Sequence, residues 1–333
     1  MKRIDPKNLP GARKAPMPEF IPPQLATLAS EAPAGDEWLH ELKFDGYRML
    51  CYLSRGKARF LSRNGKDWTE KFPNLSKAVK DFPAATAILD GEIVIVDKEG
   101  RSSFQKLQQS MKISSSAFVF QIFDLVYLDG FNITRTPLRE RKALLEELLT
   151  AGKFKGAKGP LRYSDHVEGN GPQCFKQACE FGIEGIVSKL AESPYESTRN
   201  RNWLKTKCIK RQEFVIAGYT PSKKGFPGFG SLILGVYDKG KLIYSGRVGT
   251  GFSIKQRLEI QKKLDRISQD TMPFAVKPKD PGLRDAHWAK PLLVAEVEFT
   301  EWTADGSIRH PSFQGLREDK KPTEIVREEP EKV

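Results

Sequence analysis

The stretch "ELKFDGYR" (41–48) sets Glu41, Lys43 and Asp45 at alternate positions and puts Gly46 directly after the second acid. In an extended chain these three share one face, while Leu42 and Phe44 share the other. An ordinary half-buried strand has this pattern, and so does a strand that presents Lys43 as a nucleophile. K-x-D-G arises by chance in roughly one chain in ten of this length, so the stretch decides nothing alone. Two carboxylates stand out further along. Glu92 opens an apolar run in "LDGEIVIV", and Glu184 in "FGIEGIVSK" sits where a strand starts after a helix. A buried carboxylate needs a cation or donors to stay charged, so acids in such places suggest a metal or sugar hydroxyls; a solvent-exposed strand end is the plain alternative. In "WLKTK", Lys205 and Lys207 emerge side by side from one face of an extended segment. Such neighbours repel unless water or an anion lies between them. Edge-strand protection accounts for the pair alone. Beside K-x-D-G and two isolated acids, a phosphate accounts for it better.

These groups need elements to hold them. "AILDGEIVIV" and "FVFQIFDLVYLDG" read as apolar strands punctuated by Asp-Gly turns. "TPLRERKALLEELLTAG" reads as a helix with Thr136 as N-cap, Pro137 in the first turn and Gly152 past its end. "GPQCFKQACEFG" reads as a second, stopped by Gly182. The texture changes near residue 209 to short strands and glycine turns, including a hairpin at Asp238–Gly240. One helix there opens with a capping box, Ser253 to Gln256. About five strands and one helix suit a small barrel such as an OB-fold. The expected organisation is a Pro-rich, basic lead-in over 1–34, a first domain over 35–208, a hinge at 209–212 and a barrel over 213–333.

At 333 residues the chain can build two cores, and its net charge of +13 favours an anionic partner, nucleic acid first. Cys51, Cys174, Cys179 and Cys208 form no C-x-x-C pair, which argues against a zinc site. Cys179 falls on the apolar side of its helix as a buried small hydrophobe, and such usage fits a reducing cytoplasm. No apolar run forms a signal peptide or crosses a membrane.

Taken in order, these elements resemble the covalent nucleotidyltransferases, and ATP-dependent DNA ligases in particular. "KFDGYR" resembles motif I, "SRNG" (62–65) motif Ia, "LDGE" motif III, "FQIFDLVYLDG" motif IIIa, "EGIVSK" motif IV, "WLKTK" motif V and "RHPSFQGLREDK" (309–320) motif VI. "FIPPQLATL", "WLKTKC" and "HPSFQGLREDK" resemble the ligase domain of bacterial ligase D enzymes. The resemblance implies an α+β fold: an adenylation domain of antiparallel sheets with flanking helices, followed by an OB-fold barrel.

It also implies roles. Lys43 would attack the α-phosphate of ATP and carry AMP, so its site must favour the neutral amine through nearby positive charge or desolvation. Lys205 and Lys207 would neutralise phosphate oxygens, with Glu184 as a ligand of magnesium, or manganese in its place. Glu92 would contact the metal or ribose, and Arg48 the ribose or nick. Glu41 would accept the adenine amino group, repelling the guanine carbonyl, and Phe123 would stack on the base. Asp45 and Gly46 would shape a loop that phosphate approaches closely. Arg63 and Arg199 would hold the DNA 5′-phosphate, Arg317 and Lys320 the pyrophosphate, and "SKKG" (222–225) the duplex backbone. The barrel would close over ATP and reopen for DNA. The substrate would be nicked or broken duplex DNA, with bacterial Ku as a recruiting partner, and the enzyme a nucleoid-associated cytoplasmic monomer. Only 42 residues precede Lys43, short of the helical DNA-binding domain of large eukaryotic ligases. An RNA ligase, a capping enzyme and a non-catalytic OB-type binder are the competing readings. Motif VI counts against the first, Glu41 against the second, and the Lys43, Glu184 and Lys205–Lys207 set against the third.

Overall fold

Two Asp/Lys-Gly pairs turn the chain as their residue types require. Asp129 (φ 43°) and Gly130 (φ 89°) join Leu128 to Phe131, and Lys239 (φ 48°) and Gly240 (φ 77°) join Asp238 to Lys241. Positive φ at both central residues is the two-residue hairpin geometry that matches strand twist. Asp90–Gly91 behaves otherwise. It lies inside the strand Thr86–Val94, at a register shift against Val119–Leu128. A Cβ on Gly91 would lie 2.5 Å from the Gln121 carbonyl oxygen, so this Asp-Gly is not a turn but a closely packed pair opposite Phe123, the extra residue of a bulge in the partner strand. Glu92 therefore stands late in its strand rather than at its start.

The computed structural model describes residues 4–111, 117–150, 159–222 and 227–332. The chain divides into two units, Met1–Cys208 with Pro330–Val333, and Ile209–Glu329. The first unit holds two sheets. One runs Arg13–Lys14, Phe131–Asn132, Val119–Leu128, Thr86–Val94, Tyr47–Ser54, Lys57–Ser62, with Leu161–Tyr163 added parallel to Val119–Leu128. Its core gathers Phe60, Phe72, Phe104, Phe118 and Phe120 with Leu144, Leu145, Leu148 and Leu149 of the helix Leu138–Thr150. Phe60 meets Phe72 and Phe120 edge-on, at centroid distances of 6.2 and 5.5 Å, a geometry worth about 0.5–1.5 kcal/mol per pair beyond area burial.

The second sheet of this unit runs Val167–Glu168, Trp38–Leu42, Gly185–Leu190, Arg199–Lys207, Leu25–Leu28. All pairs are antiparallel except the last, so the Pro-rich lead-in supplies an edge strand. At the far end of the chain, Glu331 N donates to Leu28 O and Ser30 N to Glu331 O, both at 2.9 Å. The sequence reading assigns this tail to the second domain, yet its hydrogen bonds go to the first unit. A second cluster of this unit, with Leu50, Tyr52, Ile88, Val126, Tyr195 and Trp203, joins the two sheets.

Several local expectations change. Leu42 is exposed and Phe44 half-buried, so they form no apolar row. Gly46 is required by packing: a Cβ there would lie 2.2 Å from Ile93 O. Asp45 accepts from Phe104 N at 3.1 Å at the start of the helix Phe104–Met111, and Asp45 N donates to Ser102 Oγ at 2.8 Å. These two residues thus fasten the segment after Lys43 to the first sheet and its helix. Thr136 is buried with its hydroxyl unpaired, and Pro137 O receives Glu140 N and Arg141 N, so the helix is not capped by that side chain. Gly152 and residues 223–225 lie outside the described residues. Cys179 is no isolated hydrophobe: it forms a disulfide with Cys208, and Cys51 and Cys174 remain thiols. Gly182 (φ 70°) reverses the chain after the helix Gly171–Glu180, so the following strand pair returns Cys208 to the helix end.

The second unit is a five-stranded antiparallel sheet in the order Lys241–Val248, Phe229–Asp238, Arg211–Pro221, His287–Glu298, Ser312–Leu316. Its helix Ile254–Asp265 falls between the third and fourth of these strands in chain order. The capping box forms: Ser253 Oγ accepts from Gln256 N and Ser253 N donates to Gln256 Oε1. Strand order and helix placement are those of a partly open OB barrel.

Candidate active site

Lys43 follows the strand Trp38–Leu42, and Glu184 precedes the strand Gly185–Leu190. Leu42 pairs with Ile186, which brings the two ends together. Lys43 N donates to Gly185 O at 2.9 Å, and Lys43 Nζ donates to Glu184 Oε1 at 2.5 Å. From the other side Cys208 N donates to Glu184 O at 2.9 Å, and Gly185 pairs with Lys207. Gly185 has φ 154°, and a Cβ there would lie 2.1 Å from Thr206 O. Only glycine lets the three strand ends crowd this closely.

Strand parity sets the rest of that face. Glu41, Val187 and Lys205 form one cross-strand row, and Leu39, Lys189 and Trp203 another. Directly paired residues point the same way and alternate residues share a side. Glu41, Lys189, Lys205 and Lys207 therefore stand on one face, with Lys205 and Lys207 half-buried.

Glu41 is buried among donors. Its Oε1 accepts from Lys142 Nζ at 2.7 Å, and its Oε2 accepts from Lys189 Nζ at 2.9 Å and Ser164 Oγ at 3.1 Å. Burial alone would raise this carboxyl, but two ammonium groups outweigh it and hold the group below the ordinary value. Lys189 has the opposite balance. Burial pushes it down to about 8, a drop that the Glu41 and Asp124 carboxylates offset only in part and that the nearby Lys142 cation adds to. Its ammonium lies 4.3 Å from the ring centroids of both Phe123 and Trp203.

Across from this face, Arg48 forms a fork on Asp90, Nε to Oδ1 at 3.0 Å and Nη2 to Oδ2 at 2.6 Å. Tyr195 Oη donates to the same Asp90 Oδ2 at 2.6 Å. Burial opposes the guanidinium charge, and Asp90 more than offsets it. The guanidinium also lies 5.1 Å from the Phe123 centroid, and Glu92 is the direct cross-strand neighbour of Arg48. Phe123 thus has two cations near its ring, Arg48 and Lys189, with Trp203 edge-on at 6.0 Å.

Residues 23–207 match the family model described as "ATP dependent DNA ligase domain", and residues 226–320 match "ATP dependent DNA ligase C terminal region". The chain belongs to the ATP-dependent DNA ligases. Its two units are the nucleotidyltransferase domain and the OB-fold domain of that family. The ligase is 38% identical over 321 residues to the multifunctional non-homologous end joining protein LigD of Pseudomonas aeruginosa, covering 95% of this chain and 38% of that protein. It is 30% identical over 302 residues to the SPbeta prophage-derived DNA ligase-like protein LigB of Bacillus subtilis, covering 90% of this chain and 99% of that protein. A solved structure of mycobacterial DNA ligase D complexed with ATP and MES matches with a TM-score of 0.69 and 35% identity, covering 93% of this chain and 99% of that one. The ligase spans 38–40% of the length of the LigD relatives.

Arg63, Arg199, Arg317 and Lys320 were also singled out in the sequence. Arg63 is half-buried in the turn that Gly65 N closes onto Ser62 O at 2.8 Å. Arg199 is exposed and donates to Ala26 O. In the second unit Arg317 is half-buried, forked onto Asp319 at 2.9 and 2.8 Å and bonded to Glu296 at 2.8 Å. Lys320 pairs with Glu213 at 2.9 Å. Sequence reasoning missed Lys142, Ser164, Lys189, Asp90 and Tyr195, and the fully buried Arg141–Asp124 fork at 2.8 and 2.9 Å.

Glu184 also answers for a metal. Its Oε1 holds Lys43, while its Oε2 is buried with no hydrogen-bond partner. A buried carboxylate oxygen without a donor suits a hard divalent cation. Among the described residues no three His, Cys, Asp or Glu side chains gather as a cage, and Glu92 joins no such group. No helix among the described residues is long and apolar enough to cross a membrane.

Proposed function

We propose that this ligase joins a 3′-hydroxyl to an adjacent 5′-phosphate in duplex DNA through an AMP carried on Lys43. The observation that carries the reading is the Lys43 Nζ–Glu184 Oε1 contact of 2.5 Å, on strand ends held together by Gly185, with Lys205 and Lys207 on the neighbouring strand. Lys43 Nζ loses a proton and attacks the α-phosphorus of ATP; an N–P bond forms, the bond to pyrophosphate breaks, and pyrophosphate leaves. Glu184 Oε1 is within reach to take that proton. Magnesium, or manganese in its place, bound by Glu184 with Glu92 as the second acid, would neutralise charge on the phosphate oxygens. Lys205 and Lys207 stabilise the charge that builds on the transferring phosphoryl group.

Glu41 accepts from the adenine amino group, and Phe123 stacks on the base. Arg48, oriented by Asp90, serves the ribose or the nick. Arg317 and Lys320 orient the pyrophosphate. In the second step the DNA 5′-phosphate, held by Arg63 and Arg199, takes AMP from Lys43. In the third the 3′-hydroxyl attacks that phosphorus and AMP leaves. The test crosses nicked DNA and nicked RNA with ATP and GTP. Sealing of nicked DNA with ATP supports the reading, and sealing confined to RNA, or driven equally by GTP, contradicts it.

The names of the LigD relatives support a role in end joining, and to this we add the proposal that Ku recruits the ligase as a monomer to broken ends. Joining of cohesive ends measured with and without Ku tests this, and an absence of stimulation removes Ku as a partner.

A further inference from the structure

The phosphate chemistry leaves two buried lysines unused. Lys142 comes from the helix Leu138–Thr150 and Lys189 from the strand Gly185–Leu190, and their side chains are 1% and 2% exposed. A buried ammonium is costly, so each has been recruited for something. Both converge on Glu41. We propose that Lys142 and Lys189 are positioning residues that set the nucleobase choice of this ligase, by fixing the Glu41 carboxylate as an acceptor of the 6-amino group of a purine. The inference rests on the reading of Glu41 as the base-contacting acid and extends it to residues outside the motif I segment.

A neutral carboxylic acid can donate a hydrogen bond, whereas a carboxylate only accepts. Desolvation drives a buried glutamate towards the neutral form, in which Glu41 would donate to the carbonyl oxygen of a 6-oxo purine and lose discrimination. Two ammonium groups at 2.7 and 2.9 Å hold it ionised. They also occupy it in a defined way. With Ser164 Oγ they fill both acceptor directions of Oε2 and one of Oε1, and a carboxylate has about four, so one direction on Oε1 remains for a ligand donor.

Other neighbours also help to place the two lysines. Lys142 Nζ also donates to Ser164 O at 2.9 Å and lies 4.6 Å from the Tyr163 centroid. Lys189 lies against Phe123 and Trp203, so the same ammonium that fixes Glu41 braces the ring assigned to stack on the base. Edge recognition and face stacking are therefore fixed by one buried network. Replacing Lys142 by an apolar residue would remove half of the charge that keeps Glu41 ionised. It would leave the strand ends bearing Lys43, Glu184, Lys205 and Lys207 untouched.

The experiment compares α-labelled ATP with α-labelled inosine triphosphate, which differs at the purine 6-position, for transfer of label to the full-length protein. The quantity read is the ratio of kcat/KM for the two nucleotides in wild type, Lys142→Met, Lys142→Gln and Lys142→Arg. We expect wild type to favour ATP, and Lys142→Met to lower the ratio about tenfold or more, as for loss of one charge-assisted hydrogen bond. Lys142→Arg should restore most of the preference, a rescue that a purely structural role does not give through this ratio. Thermal melting checks folding, and if Lys142→Met does not fold, Lys142→Gln carries the comparison. An unchanged ratio in a folded variant overturns the inference and leaves the Lys43 chemistry standing. Wild type that labels equally with both nucleotides also overturns it. Wild type that takes no label on Lys43 removes the underlying reading, and this inference with it.

Discussion

Reduction of the Cys179–Cys208 disulfide should destabilise the first unit and leave the second unmoved. The bond closes a loop of 29 residues, and a chain-entropy treatment assigns such a loop about 3.6 kcal/mol. For a unit of this size each kilocalorie moves the midpoint by about 2–4 °C, so reductant should lower it by about 7–14 °C. All four cysteines lie in the first unit, which makes the second an internal control. The loop also contains Glu184, Lys205 and Lys207, so the cross-link anchors the segment that the proposed chemistry uses most. Differential scanning calorimetry with and without dithiothreitol, on wild type and Cys179→Ser, measures both transitions. Wild type in reductant should match Cys179→Ser in either condition. A first-unit midpoint indifferent to reductant, or a second-unit midpoint that falls equally, would refute the reasoning.

Gly185→Ala should cut label transfer to Lys43 strongly, because a Cβ 2.1 Å from Thr206 O must push the Lys43, Glu184 and Lys207 strand ends apart; steady-state labelling checks it. Arg141→Met should cost about 3–5 kcal/mol in urea unfolding of the first unit, since it strands the buried Asp124 carboxylate without its fork. The Lys189 ammonium, at 10.5 when unperturbed, is pushed down by burial to about 8 in the fold. Between those pH values the unfolded chain keeps a proton that the folded chain has released, so first-unit stability should rise with pH across that window. Thermal melts from pH 7 to 10.5 should show this slope reduced in Lys189→Met.

Much of the architecture was legible because local chemistry and tertiary packing agree. The hairpin at Asp238–Gly240, the capping box at Ser253 and the stop at Gly182 are each set within a few residues, and each forms. Asp90–Gly91 was not legible, because its place inside a strand depends on the close approach of Gln121 and Phe120 from another strand. The disulfide was hidden for the same reason: residues 29 apart meet only once the strand pair folds back. At the site, single-strand parity could relate Glu41 to Lys43 but could not supply the partners of either. Lys142 did leave a trace. It occupies the apolar stripe of its helix with Leu138, Leu145 and Leu149, where a cation needs a buried anion. Lys189 shares the parity of Gly185 and Val187, yet nothing within "EGIVSK" points to Glu41, which is 148 residues away.

The central claim is that Lys43 is the residue that carries AMP. Intact-mass and peptide-mass spectrometry of wild type and Lys43→Ala, before and after ATP with magnesium and again after nicked DNA, tests it most directly. The account predicts the mass of one AMP on the peptide containing Lys43 in wild type alone, discharged by nicked DNA as the nick is sealed. Wild type that carries no AMP in any condition, or Lys43→Ala that carries it still, would contradict it.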